Sequence, residues 1–263
     1  MSKMELSSRQ ITVIAIFAAL YAVISRLPGI PIIGGGSKIE LVVILDPIVG
    51  ILLGPWIGGL TSLLGNFVAW IIPSVSFYGM LNLPVGPVAA VVSGSLARNT
   101  KNANWKFAVV IYAVLMGLWY LTSPGRAVLY YPFLHWTAFA LIVVFRDRIC
   151  SFLEADVNHK KALGATICCF SSIMANSMAG NLIYIASVGW FISLEAVKDT
   201  LKNLGFFWLK SGLPPPPDDP LGAIFATYLP ITVVERLLMT IVTVYLVYGL
   251  IFALRKSGIM KLG

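Results

Sequence analysis

The sequence predicts an all-α fold, a polytopic bundle of six to eight transmembrane helices, and three observations support this class. Of the 263 residues, 58% are hydrophobic and only 11% are charged, whereas a soluble domain carries about 25% charged residues. The mean hydropathy is +0.88. The apolar stretches are unbroken and do not alternate every second residue, as the strands of a membrane barrel would. We therefore expect one integral membrane domain over 1–263 and exclude a water-soluble globule.

Eight apolar runs, each bounded by glycine, proline or charged residues, are the candidate helices. A helix needs about 20 residues to cross the hydrocarbon at about 1.5 Å per residue. The runs that meet at Gly54-Pro55 are shorter than this, as is the run 83–97, and we expect these helices to be tilted, broken or surrounded by other helices. The first run lacks the small-residue cleavage site of a signal peptide, so we interpret it as the first membrane helix. The runs lie at about 10–27, 39–53, 55–72, 83–97, 105–122, 128–146, 162–190 and 222–254.

The formal net charge of +8 indicates membrane topology rather than nucleic-acid binding. Lys and Arg cluster beside the apolar runs, as they do in the cytoplasmic loops of membrane proteins. If the N-terminus is cytoplasmic and the number of crossings is even, 12 of the 19 Lys and Arg residues lie on the inner side and 6 on the outer side. We therefore predict a multi-pass protein of the cell membrane with both termini in the cytoplasm.

The segment 191–220 is the one long loop that the sequence predicts, and it lies outside the cell on this topology. It contains a helical stretch from Leu194 to Leu209. The run from Pro214 to Pro217 cannot continue a helix and should form an extended polyproline connector. Two interpretations remain open, a spacer between helices or a lid over a cavity.

Small residues recur on one face of the first helix and form two overlapping pairs with a spacing of four. Small side chains let another helix approach closely, and in lipid this approach is a main source of helix association. Internal packing and docking to another subunit are about equally compatible with the pattern. The residues of this face are Ala15, Ala18, Ala19 and Ala22.

Two glycine-rich runs follow, from Val49 to Gly59 and from Pro84 to Gly94. Together with the alanine face, the asparagines of the seventh run and the Glu-Arg pair of the last run, they resemble the substrate-binding S components of energy-coupling factor (ECF) transporters. The resemblance covers 10–97 and, more loosely, 165–254. It implies a membrane protein that captures a vitamin or related micronutrient outside the cell and pairs with a transmembrane coupling subunit and two cytoplasmic ATPases.

Two segments depart from that resemblance. The segment 105–146 looks like an additional hairpin, and 191–220 looks like an additional outer loop, since members of that family usually have about six helices. The resemblance therefore does not assign a substrate.

Polar side chains within the apolar runs give a second, physical route to a site. A charged group at the centre of a bilayer costs about 2.5–3.5 kcal/mol, so each should face protein or water. The helical rise places Asp46 about 10 Å below the outer end of its run and Glu235 near the outer boundary. Asn176 and Asn181 lie about 20 Å and 28 Å above the cytoplasmic start of theirs. These depths, with two nearby aromatic rings, predict an outward-facing substrate site made of Asp46, Trp70, Asn176, Asn181, Tyr184 and Glu235.

Each of these residues also has a structural interpretation. Asp46 precedes Pro47 and could simply cap a break in its helix. Glu235 and Arg236 are adjacent, so their side chains point about 100° apart, and we expect them not to line one narrow pocket as a direct pair. An aromatic belt at the membrane surface would explain the rings without a ligand. Asn66 falls in the inner half, where we expect it to serve helix packing rather than binding.

Two other functions remain open. An intramembrane enzyme using His135 with Glu235 is conceivable, but the sequence contains no GxSxG, HExxH or phosphate-binding loop and no identifiable nucleophile. His135 is more often a hydrogen-bonded interior histidine than a ligand. Cys150, Cys168 and Cys169 show no CxxC spacing, so the sequence indicates neither a disulfide framework nor a zinc site, and we expect no cofactor. A structural subunit would require an uninterrupted apolar interior, whereas a polar outer cavity would favour transport.

Overall fold

The fold is all-α, as predicted. A computed structural model of the protein describes residues 8–27, 30–31, 38–39, 41–72, 77–98, 104–211 and 218–256. Besides α-helices, turns and bends, these ranges contain one 3-10 helix, Leu41–Ile44, two antiparallel two-residue strands, Ile30–Pro31 and Lys38–Ile39, and one isolated bridge between Val188 and Ile192. The α-helices are α1 Ser8–Ile24, α2 Leu45–Leu53, α3 Pro55–Ile71, α4 Phe77–Asn82, α5 Val85–Ala97, α6 Trp105–Leu121, α7 Ser123–Ala127, α8 Phe133–Phe145, α9 Ile149–Glu154, α10 Asn158–Ser187, α11 Leu194–Ser211 and α12 Pro220–Lys256.

Every apolar run of the sequence contains one of these helices, but two boundaries differ from the prediction. The run 83–97 is not an isolated short helix, because α4 and α5 are only two residues apart and together form a 21-residue span, Phe77–Ala97. The run 128–146 becomes helical only at Phe133, because residues 128–132 form turns. The predicted stretch from Leu194 is α11, and the run Pro214 to Pro217 lies outside the described residues.

Three spans in the described part of the chain are long and apolar enough to cross a membrane: Phe77–Ala97, Asn158–Ser187 and Pro220–Ile251. Shorter apolar helices accompany them. The last span carries large exposed apolar side chains, among them Ile241 (64% exposed) and Tyr245 (79% exposed). A surface of this kind aggregates in water but suits contact with lipid tails.

The helix at the centre of the bundle is α10, which contacts α5, α6, α8, α9 and α12. Its middle section is buried on all sides, and two buried hydrogen bonds tie it to its neighbours. Tyr112 Oη of α6 donates to the Ser171 carbonyl over 2.7 Å. Ser172 Oγ donates to the Ala89 carbonyl of α5, also over 2.7 Å. The predicted hairpin segment 105–146 thus contributes α6 and α8 directly to the wall around this central helix.

A second layer consists of α2, α3 and α5, with α1 packed on α3. The sharp turn between α2 and α3 depends on Gly54, whose φ of +83° is readily accessible to glycine alone. Pro55 then occupies the first position of α3, where its missing N–H leaves no helical bond unmade. Arg98, just after α5, donates to the Leu52 carbonyl near the end of α2 over 3.3 Å. The predicted turn at Gly54-Pro55 is therefore present and brings α2 and α3 side by side.

Candidate functional site

One cavity of about 940 Å³ lies among the helices, and all six predicted substrate-binding residues line it. Its walls come from α2, α3, α4, α5, α10 and α12, with single residues from α11 and from the turn before α8. Helices far apart in the sequence thus converge on one space. The six predicted residues are Asp46, Trp70, Asn176, Asn181, Tyr184 and Glu235.

Asp46 is the hub of a buried hydrogen-bond network at one end of the cavity. Its Oδ1 accepts from Tyr21 Oη of α1 over 2.6 Å and from Ser62 Oγ of α3 over 2.7 Å. Its Oδ2 accepts from Asn176 Nδ2 of α10 over 3.1 Å. The carboxylate lies in the first turn of α2, where the helix dipole favours negative charge. These bonds reach three other helices, so Asp46 does more than cap its own helix.

Asn66 extends this network, and Gly86 of α5 packs against it. Asn66 Nδ2 donates to the Ser62 carbonyl over 2.9 Å and to Ser62 Oγ over 3.2 Å. A methyl group on Gly86 would lie 2.5 Å from Ser62 Oγ, so only glycine lets α5 approach so closely. Asn66 also lines the cavity. The sequence places Asn66 in the inner half as a packing residue, whereas the structure places it on the cavity wall, hydrogen-bonded to Ser62 one turn earlier on α3. That it serves packing more than binding stays a prediction.

A second polar group lies where α10 and α12 face the start of α8. Asn181 Nδ2 donates to Tyr131 Oη over 3.0 Å. Glu235 Oε1 and Arg236 Nη2 are 3.6 Å apart, and both residues line the cavity. The expectation that these neighbours could not line one pocket as a pair was wrong, because their long side chains bend toward each other although their Cβ atoms diverge. The separation still exceeds the usual 2.7–2.9 Å of a charge-assisted hydrogen bond, so the pair is loose.

Aromatic rings form much of the remaining wall beside this second group. Phe225 makes edge contacts with Tyr131 and Tyr184, with ring centroids 5.1 Å and 6.1 Å apart. Trp70, near the end of α3, also lines the cavity. Trp190, by contrast, is 84% exposed and is not among the lining residues. Rings in the wall of a cavity provide stacking surfaces for a flat molecule.

Three buried polar side chains near the second group have atoms without a hydrogen-bond partner. They are Ser177 Oγ and Arg236 Nε, on lining residues, and both ring nitrogens of His135. His135 is 3% exposed, and its ring stacks on Tyr131 at 6.3 Å. The expectation of a hydrogen-bonded interior histidine was therefore wrong. Buried polar groups in native proteins are nearly always satisfied, so this concentration of unpaired atoms calls for an explanation.

Several cavity residues were not predicted from the sequence. Tyr131, Phe225 and Tyr228 lie in apolar runs, where nothing distinguishes a ring that faces a cavity from one that faces lipid. Ser177 lies four residues before Asn181, so its place on the same face of α10 could have been predicted. Among the described residues, no group of three or more His, Cys, Asp or Glu side chains is placed to hold a metal ion.

The alanine face of α1 lies on the outside of the bundle. Ala15 and Ala19 are exposed, and Ala18 and Ala22 are half-buried. The opposite side of α1 packs on α3 through Tyr21, which is fully buried. The part of the face centred on Ala15 and Ala19 is thus not used for packing within the described chain.

Comparisons with known proteins place these features in a family. A profile of the family described as "ECF transporter, substrate-specific component" matches residues 9–251. Among curated proteins, an uncharacterized protein of Methanocaldococcus jannaschii is 30% identical over 226 residues, which are 86% of this chain and 64% of that protein. The chain thus spans less than two thirds of the length of this relative. No solved structure matches the chain significantly.

Proposed function

The chain belongs to the family of ECF transporter substrate-specific components, and on this premise we propose that it captures a small, ring-bearing nutrient from outside the cell. The observation that carries the proposal is the cavity of about 940 Å³. Ligand sites typically measure about 300–1,000 Å³ and combine apolar walls with a few polar anchors. This cavity has both, with aromatic rings beside two separate polar groups.

We assign the anchoring roles to the predicted residues. Asp46 and Glu235 accept N–H or O–H groups of the nutrient, while Asn176 and Asn181 donate to or accept from it. Asp46 has a remaining acceptor position, because a carboxylate has about four and three are used by the protein. Trp70 and Tyr184 stack beside the ring.

The experiment that tests this proposal is native mass spectrometry of the gently purified protein, which should retain a small molecule. A matched pair of variants locates that molecule. Gly180 lines the cavity and Gly117 lies on the exposed side of α6, and a methyl group on either would meet nothing within 4 Å. Gly180→Leu should therefore project a side chain into the cavity and weaken retention of the molecule, whereas Gly117→Leu should keep it. Retention in both variants would place the molecule elsewhere.

We further propose that α1 docks to a transmembrane coupling subunit, through which cytoplasmic ATPases energise uptake. The exposed Ala15 and Ala19 support this, because a smooth face permits close approach of a partner helix. Replacing both with Leu should abolish co-purification of the coupling subunit and leave ligand retention intact. Loss of folding instead would mean that the alanine face is internal packing.

The outer segment 191–220 is better explained as a lid than as a spacer. Thr200 of α11 lines the cavity, and the ring of Phe191 lies 4.4 Å from that of Phe77 at the start of α4. Hydrogen exchange of the amides in 194–202 should therefore slow when the retained molecule is bound. Unchanged exchange would leave α11 as a spacer.

The enzymatic alternative gains little from this geometry. His135 is not among the lining residues, whereas Glu235 is, and no hydrogen bond joins them. The polar cavity also speaks against a purely structural subunit. Transport is therefore the function that the geometry favours.

A further inference from the structure

Two residues that line the cavity have buried hydrogen-bond donors without a partner, and these donors indicate the charge of the ligand. Arg236 Nε is buried and has no hydrogen-bond partner, and an arginine nitrogen can only donate. Its guanidinium contacts Glu235 at 3.6 Å, too far for a hydrogen bond. Ser177 Oγ is equally unpaired, on a residue that is 2% exposed. A buried donor left unpaired is costly, so a ligand atom that accepts from these groups would relieve the cost.

These donors belong to the same side of the cavity. Ser177 and Asn181 are four residues apart on α10 and so lie on one face of that helix, one turn apart. Asn181 donates a hydrogen bond to Tyr131, which lies in the turn before α8. The ring of Tyr131 stacks on that of His135. Arg236 reaches the cavity from α12, which packs against α10.

The Asp46 end of the cavity presents a hydrogen-bond acceptor instead of unpaired donors. Asp46 already accepts three hydrogen bonds from Tyr21, Ser62 and Asn176. The carboxylate of Asp46 thus has hydrogen-bond donors within the protein, whereas Arg236 Nε has no acceptor. The remaining arginine of the lining, Arg26, donates to the Ala69 carbonyl over 2.7 Å and is exposed.

We propose that the ligand is a ring-bearing organic anion, with a carboxylate that receives hydrogen bonds from Arg236 and Ser177. This inference rests on the proposed function of the cavity as a ligand site and specifies the class of ligand. A guanidinium and a hydroxyl supply one donor for each of the two oxygens of a carboxylate, and a guanidinium favours carboxylates over neutral acceptors. The ring then lies against Tyr131, Tyr184 and Phe225, where Glu235 can accept a ring N–H group.

Three probes of nearly equal size and shape test the charge: benzoate, benzamide and benzylamine. The full chain in nanodiscs of neutral lipid is titrated with each probe, and affinity is obtained from the shift in the unfolding temperature with probe concentration. Benzoate should bind better than both others, by about 10-fold or more over benzamide, as expected for a hydrogen bond to a charged group.

Variants locate this preference. Arg236→Gln should bring the benzoate-to-benzamide ratio close to one, and Arg236→Lys, which keeps the charge but not the planar fork, should retain part of it. Ser177→Ala removes a single hydroxyl and should lower the ratio while leaving the fold intact, so the test does not depend on the folding of an Arg236 variant. Arg126→Gln is the matched control, because Arg126 is not among the lining residues and its Nε donates to the Thr122 carbonyl over 3.3 Å, and the ratio should persist there.

Each other outcome has a distinct meaning. Equal binding of the three probes, a preference for benzylamine, or a benzoate preference that survives both Arg236→Gln and Ser177→Ala would overturn the anion site and leave the ring-binding cavity standing. Binding of none of the probes to the folded protein would count against the ring-binding cavity itself, and hence against the proposed function together with this inference.

Discussion

Removal of the Asp46 carboxylate should destabilise the bundle more than removal of any one of its partners. Asp46→Ala leaves three donors on α1, α3 and α10 without their acceptor. Hydrogen bonds between membrane helices contribute about 0.6 kcal/mol each on average and about 1.7 kcal/mol at most. Three of them sum to about 2–5 kcal/mol, since all three converge on one carboxylate.

Milder changes at the same place should give a graded series. Tyr21→Phe removes one donor and should cost about 0.6–1.7 kcal/mol. Asp46→Asn keeps an oxygen for Tyr21 and Ser62, and the amide of Asn176 can turn to present its own oxygen to the new NH₂ group. The loss for Asp46→Asn should therefore lie near that of Tyr21→Phe and well below that of Asp46→Ala.

Equilibrium unfolding in nanodiscs or mild detergent measures this series. Asn82→Ala provides the control, because Asn82 also lines the cavity but its amide donates to the Tyr78 carbonyl within the same short helix. We expect only a small change there. If Asp46→Ala unfolded no more easily than Tyr21→Phe, the carboxylate would not be the hub that joins the four helices.

Two further predictions concern packing and orientation. Gly86→Ala should cost about 1–3 kcal/mol of unfolding free energy, because its methyl group would lie 2.7 Å from Asp46 Oδ1. Gly249→Ala should cost nothing, since its methyl group meets nothing within 4 Å, and thermal unfolding compares the two. In intact cells, a cysteine at Ser211 should react with a membrane-impermeant reagent and one at Ser257 should not. The reverse pattern would overturn the predicted orientation.

The sequence was a good guide to the helices because the signals for them are local. Apolar runs bounded by glycine and proline, such as the pair that meets at Gly54-Pro55, depend on the membrane thickness and on backbone geometry alone. The boundary at Phe133 was missed because the preceding turns are as apolar as the helix. Hydropathy reports how apolar a segment is. It does not distinguish an apolar turn that is surrounded by protein from an apolar helix.

Six residues that line the cavity could be selected from the sequence, and their role as ligand anchors stays a prediction. Four of them are polar, and because a polar group in lipid is costly wherever it lies, depth along each helix was enough to select Asp46, Asn176, Asn181 and Glu235. Rotation about the helix axis is a different quantity. It depends on how neighbouring helices pack, and it determines that Asn66 faces the cavity. The contact of Glu235 with Arg236 depends likewise on side-chain conformation, which residue spacing leaves open.

A control for the anchoring residues must lie outside the cavity, which excludes Asn66 because it lines the cavity. Ser172 is better. It lies on α10 like Asn181, is fully buried, and makes one hydrogen bond to another helix, but it faces α5 and is not a lining residue. Asn181 makes its own hydrogen bond to Tyr131 and faces the cavity. Alanine at either position therefore removes one hydrogen bond from α10 to another part of the bundle. The two variants differ in whether the lost side chain faces the cavity.

Calorimetry with the molecule recovered from the wild-type protein should separate the two variants. Asn181→Ala should lose about 5- to 150-fold in affinity, the range for a buried hydrogen bond worth about 1–3 kcal/mol. Ser172→Ala should bind nearly as tightly as the wild type while unfolding about as easily as Asn181→Ala. Equal affinity in the two variants, with both folded, would mean that this face of α10 does not contact the ligand, and that Asn181 serves only to hold Tyr131 against the bundle.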